Sequence, residues 1–289
     1  MAHSSVHSHL CDRPRDDAGI RLTMDWVNAV QREIEAFPGT AGVVVSSLAD
    51  GRKVSHNAEK VFSSASLIKL GALYTLFSKG AAGEIDLDEW CDFSSAVSVD
   101  GGLLHRVRSG ARLRLDDLAV LMISVSDNTA ANLLIDRLGM DAINGGFREL
   151  GLTGTVLGRK MLDFEAKKAG KDNYTTAGDV ALLLETLHSG KNLPVSSRNR
   201  ILEILSVQKL NSKLPGMIPV LDVDDVELFL AHKTGELPGH EHDAGIFFYR
   251  GKNPVVVSVL TGGLKERSDG VNFCARVGRI IYDAYHDQQ

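Results

Sequence analysis

The chain has 289 residues, 44% of them hydrophobic and 24% charged, with 28 glycines and 7 prolines. That is the composition of an ordinary globular protein, not of a disordered, collagen-like or disulfide-stapled chain. With 32 basic against 37 acidic side chains and a net charge of -5, it shows no basic footprint for nucleic acid or an anionic membrane. Cys11, Cys91 and Cys274 are odd in number and far apart, so no disulfide framework is expected. No apolar run reaches the about 20 residues of a transmembrane helix.

Residues 1–20 are polar, aperiodic and His-rich, and read as a flexible arm. Met1 to His9 lacks the apolar core of a secretory signal. The expected location is therefore the cytoplasm as the chain is written, or outside it if a signal was removed. From Met24, Trp26, Val27, Val30, Ile34 and Phe37 share a helical face that Pro38-Gly39 ends. Residues 41–58 read as a β-hairpin turning at Ala49-Asp50-Gly51.

From about Phe62 to Leu214 the pattern is helical, with apolar residues at three- and four-residue steps in LIKLGALYTLFSKG, LRLDDLAVLMISV, TAANLLIDRLG, DAINGGFREL and TAGDVALLLETLHSG. Leu157 to Tyr174 interrupts it as a long polar loop, and such loops in compact domains are usually functional. After Pro215 three strand-like runs follow, ELFLAHKTG, AGIFFYRG and NPVVVSVLTGG, and then a closing helix, VNFCARVGRIIYDAY. The expected fold is α+β. Residues 21–289 form a single domain, with an antiparallel sheet lobe (21–61 and 216–289) covered by the terminal helices and an all-helical lobe (62–215) inserted. A groove between the lobes is the expected ligand site.

Three motifs fall near the lobe boundaries. Ser66-Leu67-Ile68-Lys69 opens a helix. Its spacing puts an amine one turn from a hydroxyl that needs a base to become nucleophilic, beside a helix N-terminus suited to a developing oxyanion. Alone the pattern is weak, because Ser206-Val207-Gln208-Lys209 repeats it. Ser126-Asp127-Asn128 precedes the helix TAANLLIDRLG, where a serine or aspartate is also a natural cap. Lys233-Thr234-Gly235 ends a strand and combines a cation, a hydroxyl and a residue that lets a ligand approach the backbone.

Together, Ser-x-x-Lys, Ser-Asp-Asn and Lys-Thr-Gly are the set found in class A β-lactamases and penicillin-binding proteins. From about Met24 onward the chain resembles that superfamily of serine hydrolases, and its class A branch most closely, through FSSASLIK, VSDNTAANLLI and HKTG in order. The resemblance implies the serine β-lactamase/DD-peptidase-like fold. It also implies an acyl-enzyme on Ser66, formed by a small acyl substrate such as a β-lactam. Lys69 would activate Ser66, and Ser126, assisted by Lys233, would pass a proton to the leaving nitrogen. Asn128 would hold the substrate amide, and Thr234 with Lys233 its carboxylate. Gly235 belongs to the binding strand, and the Ser66 and Glu236 N–H groups would form the oxyanion hole. No cofactor, metal, nucleic acid or membrane is implied, and a monomer is expected. A D-alanyl-D-alanine peptidase, an esterase or a slow-turnover penicillin binder could use the same machinery.

Two departures stand out. Class A enzymes hydrolyse the acyl-enzyme with a loop glutamate in an Arg-x-x-x-x-Glu-x-x-x-Asn arrangement. Here the loop reads Arg159-Lys160-Met161-Leu162-Asp163-Phe164-Glu165, with no asparagine four residues beyond either acid. Counting from Ser126 puts the base near Leu162. Asp163 is nearest, and Glu165, the catalytic candidate, has the right length but needs a shift of two or three residues. The arginine that backs the substrate carboxylate in class A enzymes is not visible, and His242 and Asp243 occupy its neighbourhood. His240 and His242 read as part of a surface turn.

Overall fold

The computed structural model describes residues 25–94, 97–219, 228–249 and 252–286. The amino-terminal arm and Cys11 lie outside them. Helix α1 (Trp26–Ala36) is capped by the Asp25 carboxylate, which accepts from the Asn28 N–H. It leads into β1 (Thr40–Ser47) and β2 (Lys53–His56). These strands join β7 (Leu228–Leu237), β8 (His240–Tyr249) and β9 (Lys252–Gly262) in an antiparallel sheet ordered β2-β1-β9-β8-β7. Strand β7, which carries Lys233-Thr234-Gly235, is therefore an edge strand.

The valine runs follow from a sheet covered on both faces. Val43, Val45, Val255, Val257 and Val259 pack against α1 and the last helix, α9 (Arg267–His286), where the Phe37 and Phe273 rings stack 4.3 Å apart. Val44, Val256 and Leu260, pointing the other way, join the helical core. Each such side chain contributes about 1.5–3 kcal/mol relative to exposure.

The helical core is built on α2 (Lys69–Ala81), buried without interruption from Lys69 to Phe77. Gly71 lets α5 (Met140–Glu149) lie directly against it: a Cβ there would stand 2.0 Å from the Phe147 ring. Helices α3 (Leu115–Ser124), α4 (Asn128–Leu138), α7 (Ala177–Ser189) and α8 (Val195–Ser206) complete this core, and α7 also packs on β1 and β9.

Two small ribbons depart from the sequence expectation: β3 (Val61–Ser63) with β6 (Tyr174–Thr176), and β4 (Trp90–Asp92) with β5 (Arg112–Arg114). Three residues are too few for period-two alternation to show, and Arg112–Arg114, expected as helix, is strand. Strand β8 also starts earlier than expected. His240 and His242 are on it, and His242 is fully buried, not at a surface turn.

Candidate active site

The chain leaves β3 at Ser63, passes Ala65 at φ 47°, and makes a 3-10 turn over Ala65–Ile68 before α2 begins at Lys69. This places Ser66 half-buried in the turn and Lys69 buried one turn beyond it. The α3–α4 corner lies opposite, with Ser126 in the left-handed region at φ 56°. Asp127 takes the capping role: its carboxylate accepts from Ala130 N at 2.8 Å, Leu103 N at 2.6 Å and Leu104 N at 2.7 Å. Gly102 permits that approach, since a Cβ would meet Asp127 at 2.4 Å. With Asp127 so engaged, Ser126 and Asn128 turn toward the lysines.

Lys69 Nζ donates to Ser126 O at 2.6 Å and to Asn128 Oδ1 at 2.8 Å, and stands 3.2 Å from Ser126 Oγ. From the edge strand, the buried Lys233 Nζ donates to Ser126 Oγ at 3.0 Å and to Thr234 O at 2.7 Å. The Ser126 hydroxyl is thus held between two amines. Asn128 also donates to Asp100 O at 2.9 Å. Gly235 brings β7 against the Ser66 turn: a Cβ there would stand 3.2 Å from Ala65 Cβ and 3.3 Å from Ser66 N.

Burial pulls the Lys69 ammonium down to about 7, with the Asp127 carboxylate opposing the shift. Burial also carries Lys233 well below its ordinary value; Lys69 and Lys213 push it down further, while Asp243 and Glu236 push it up. Two buried amines, both held below their ordinary pKa, around one hydroxyl are chemically unusual and make this the candidate functional site.

Behind β7 lies a charge network that carried no motif in the sequence. Lys213, buried, donates to Gly235 O at 2.8 Å and His242 O at 3.2 Å, and pairs with Glu241 at 2.7 Å. Arg267 bridges Glu241 and the exposed Glu236, both at 2.7 Å. Asp243 faces inward, accepting from Leu214 N at 2.9 Å and lying 2.9 Å from His232 Nδ1.

The loop of residues 157–174 is anchored by its backbone. Asn132 on α4 accepts from Met161 N at 2.8 Å and donates to Met161 O at 3.1 Å. Asn173 Oδ1 accepts from Gly158 N at 2.9 Å and Arg159 N at 3.0 Å, and Arg159 pairs with Asp172 at 2.8 Å. Met161 is buried and Leu162 adopts φ 59°. Asp163 caps the short helix α6 (Phe164–Lys168) through Ala166 N at 2.9 Å. The Glu165 carboxylate is 84% exposed and pairs with Lys168 at 2.7 Å. The structure brings Ser66, Lys69, Ser126, Asn128, Lys233, Thr234 and Gly235 together, with Glu236 at the rim. It does not bring in Glu165, because α6 directs that side chain into solvent.

A lysine-flanked serine at the seam between such a sheet and such a helical layer characterises a class A β-lactamase-like hydrolase. The chain belongs to the Beta-lactamase enzyme family, which it matches over residues 26–285. It is 28% identical over 181 residues, 60% of either chain, to a β-lactamase of Rhodobacter capsulatus. A β-lactamase from Sphaerobacter thermophilus superposes with a TM-score of 0.83 at 29% identity, over 91% of this chain and 98% of that one. A PBP-A variant solved as an acyl-enzyme with penicillin G gives 0.79 at 28% identity, over 91% and 96%.

Proposed function

We propose that this protein opens β-lactam amides through an acyl-enzyme on Ser66 and releases the product slowly. The chain of contacts from Lys69 through Ser126 to Lys233 carries the reading. In its neutral form Lys69 takes the Ser66 proton as Oγ attacks the lactam carbonyl. The Ser66 and Glu236 N–H groups receive the oxyanion. As the C–N bond breaks, Ser126 gives its proton to the departing nitrogen and regains one from the proton held on Lys69, with Lys233 supporting the hydroxyl. Asn128 holds the substrate amide, and Lys233 with Thr234 its carboxylate. Hydrolysis then requires a water to attack the ester and return a proton to Ser66 Oγ.

That last step lacks a placed base. Asp163 caps α6, Glu165 makes a surface ion pair and Asp172 pairs with Arg159, while Leu162, beside the buried Met161, stands where counting from Ser126 puts a carboxylate. This favours a persistent adduct, the behaviour of a penicillin-binding protein. The acyl-enzyme trapped in the PBP-A variant supports the chemistry on this framework. Mixing the protein with penicillin G and following its intact mass from seconds to hours tests the reading. An adduct that forms quickly and decays slowly is expected. No adduct over hours refutes the assignment of β-lactams as substrates.

A further inference from the structure

His242 does nothing in the chemistry described so far, yet it is fully buried and both its ring nitrogens are engaged. The Thr261 backbone N–H points at Nδ1 at 3.1 Å. A backbone nitrogen can only donate, so Nδ1 is the acceptor and the ring proton sits on Nε2. Nε2 therefore donates to its partner 2.9 Å away, the carbonyl of Ser63. Burial pulls the ring's pKa down to about 4, so this single tautomer persists at neutral pH.

Ser63 ends β3, three residues before Ser66. Between them Ser64 donates its N–H to Asn173 O at 2.9 Å, and Ala65 holds the left-handed φ of 47°. A non-glycine residue stays in that conformation only where its surroundings over-determine it. Beside its own bonds, Leu67 N to Ser64 O at 3.1 Å and Ser64 Oγ to Ala65 O at 3.2 Å, the turn is tied from outside by the 157–174 loop and by His242. Gly235 lies beside this turn, since a Cβ on it would stand 3.3 Å from Ser66 N and 3.4 Å from His242 Cβ.

We propose that His242 is a positioning residue for acylation: its ring ties β8 to the Ser63 carbonyl and so sets the turn that aims Ser66 and its N–H. The effect on rate rests on the reading of Ser66 as nucleophile; the tie itself does not. Two substitutions separate the halves of the ring. His242→Asn keeps an acceptor for Thr261 but has no donor long enough for Ser63, and His242→Gln carries an amide N–H to about the position of Nε2. The acylation rate at saturating penicillin G should fall about tenfold or more in His242→Asn, with half-saturation little changed, as for a misplaced nucleophile. His242→Gln should recover most of that loss. Equal rates in His242→Asn and the wild type, or equal losses in both variants, overturn the proposal.

Substrate-free readouts keep the tie testable if penicillin forms no adduct or a variant fails to fold. Nitrogen-15 spectra of the wild-type ring should show a protonated Nε2 and a bare Nδ1, and the opposite tautomer overturns the proposal. Hydrogen exchange at the Ser64 amide should quicken in His242→Asn, and unchanged exchange in that variant, folded, overturns it too.

Discussion

The cluster around Ser126 and the loop of residues 157–174 are built in opposite ways. In the cluster, Lys69 at the start of α2 and Lys233 within the edge strand β7 are buried, and each spends its amine on inward partners. In the loop, the backbone is fixed as firmly, through Asn132, Asn173 and the Arg159–Asp172 pair, but Glu165 looks outward and Asp163 is used as a helix cap. A buried amine costs desolvation, and on the proposed mechanism the protein bears that cost where acylation needs it. An exposed pair such as Glu165–Lys168 is worth only ~0–1 kcal/mol. On the proposed mechanism, a fixed loop with neither Asp163 nor Glu165 turned inward supports one half-reaction and leaves the other to bulk water.

The largest expected effect removes the first half altogether. Ser66→Ala should abolish the penicillin adduct and turnover, with an unchanged melting temperature because the half-buried hydroxyl makes no hydrogen bond among the described residues. Turnover at the wild-type rate would take Ser66 out of the mechanism. The second change repairs the other half. Met161→Glu puts a carboxylate on the residue whose N–H and C=O Asn132 holds. Decay of the adduct should quicken on the order of 100-fold, the usual contribution of a positioned general base. Leu162→Glu, lacking that backbone anchor, should gain less. Equal, unaccelerated decay in both variants means that something other than the missing base limits release.

The pH dependence of acylation follows from Lys69. Its pKa of about 7 leaves it neutral above that pH and protonated below it. Only the neutral amine accepts the Ser66 proton, so the acylation rate should fall roughly tenfold per pH unit below 7 and level off above it. A rate flat across that range removes Lys69 as the base.

What could be read without coordinates were features contained in one element. Ser66 and Lys69 share a single turn, Lys233-Thr234-Gly235 follow one another on a single strand, and ELFLAHKTG, AGIFFYRG and NPVVVSVLTGG each read as a strand. Pairings across the chain left no such mark. Lys213 with Glu241, or Arg267 with Glu236, become partners only once β7, β8 and α9 are stacked. The burial of His242 depends on the early start of β8, directly after the Pro238-Gly239 turn, a signal that reading His240 and His242 as part of a surface turn passes over. Counting from Ser126 leads to the neighbourhood of Leu162, where side-chain direction is set by the Asn132 anchor and the capping of α6. The sequence alone could therefore put Asp163 and Glu165 near the site without showing that neither turns inward.

The smallest expected effect follows from that geometry. Glu165→Gln and Asp163→Asn should each change the decay of the acyl-enzyme by less than about twofold, since a general base acts only within hydrogen-bond reach, directly or through one water. Asparagine caps helices about as well as aspartate, so Asp163→Asn should also leave stability nearly unchanged, whereas Asp163→Ala should cost about 1 kcal/mol by freeing the Ala166 N–H. Timed intact-mass spectra after a penicillin pulse measure both decay rates against the wild type. If Glu165→Gln slows decay tenfold or more, α6 must turn inward once the acyl group is in place, and the loop would then be a moving part of the enzyme instead of a fixed wall.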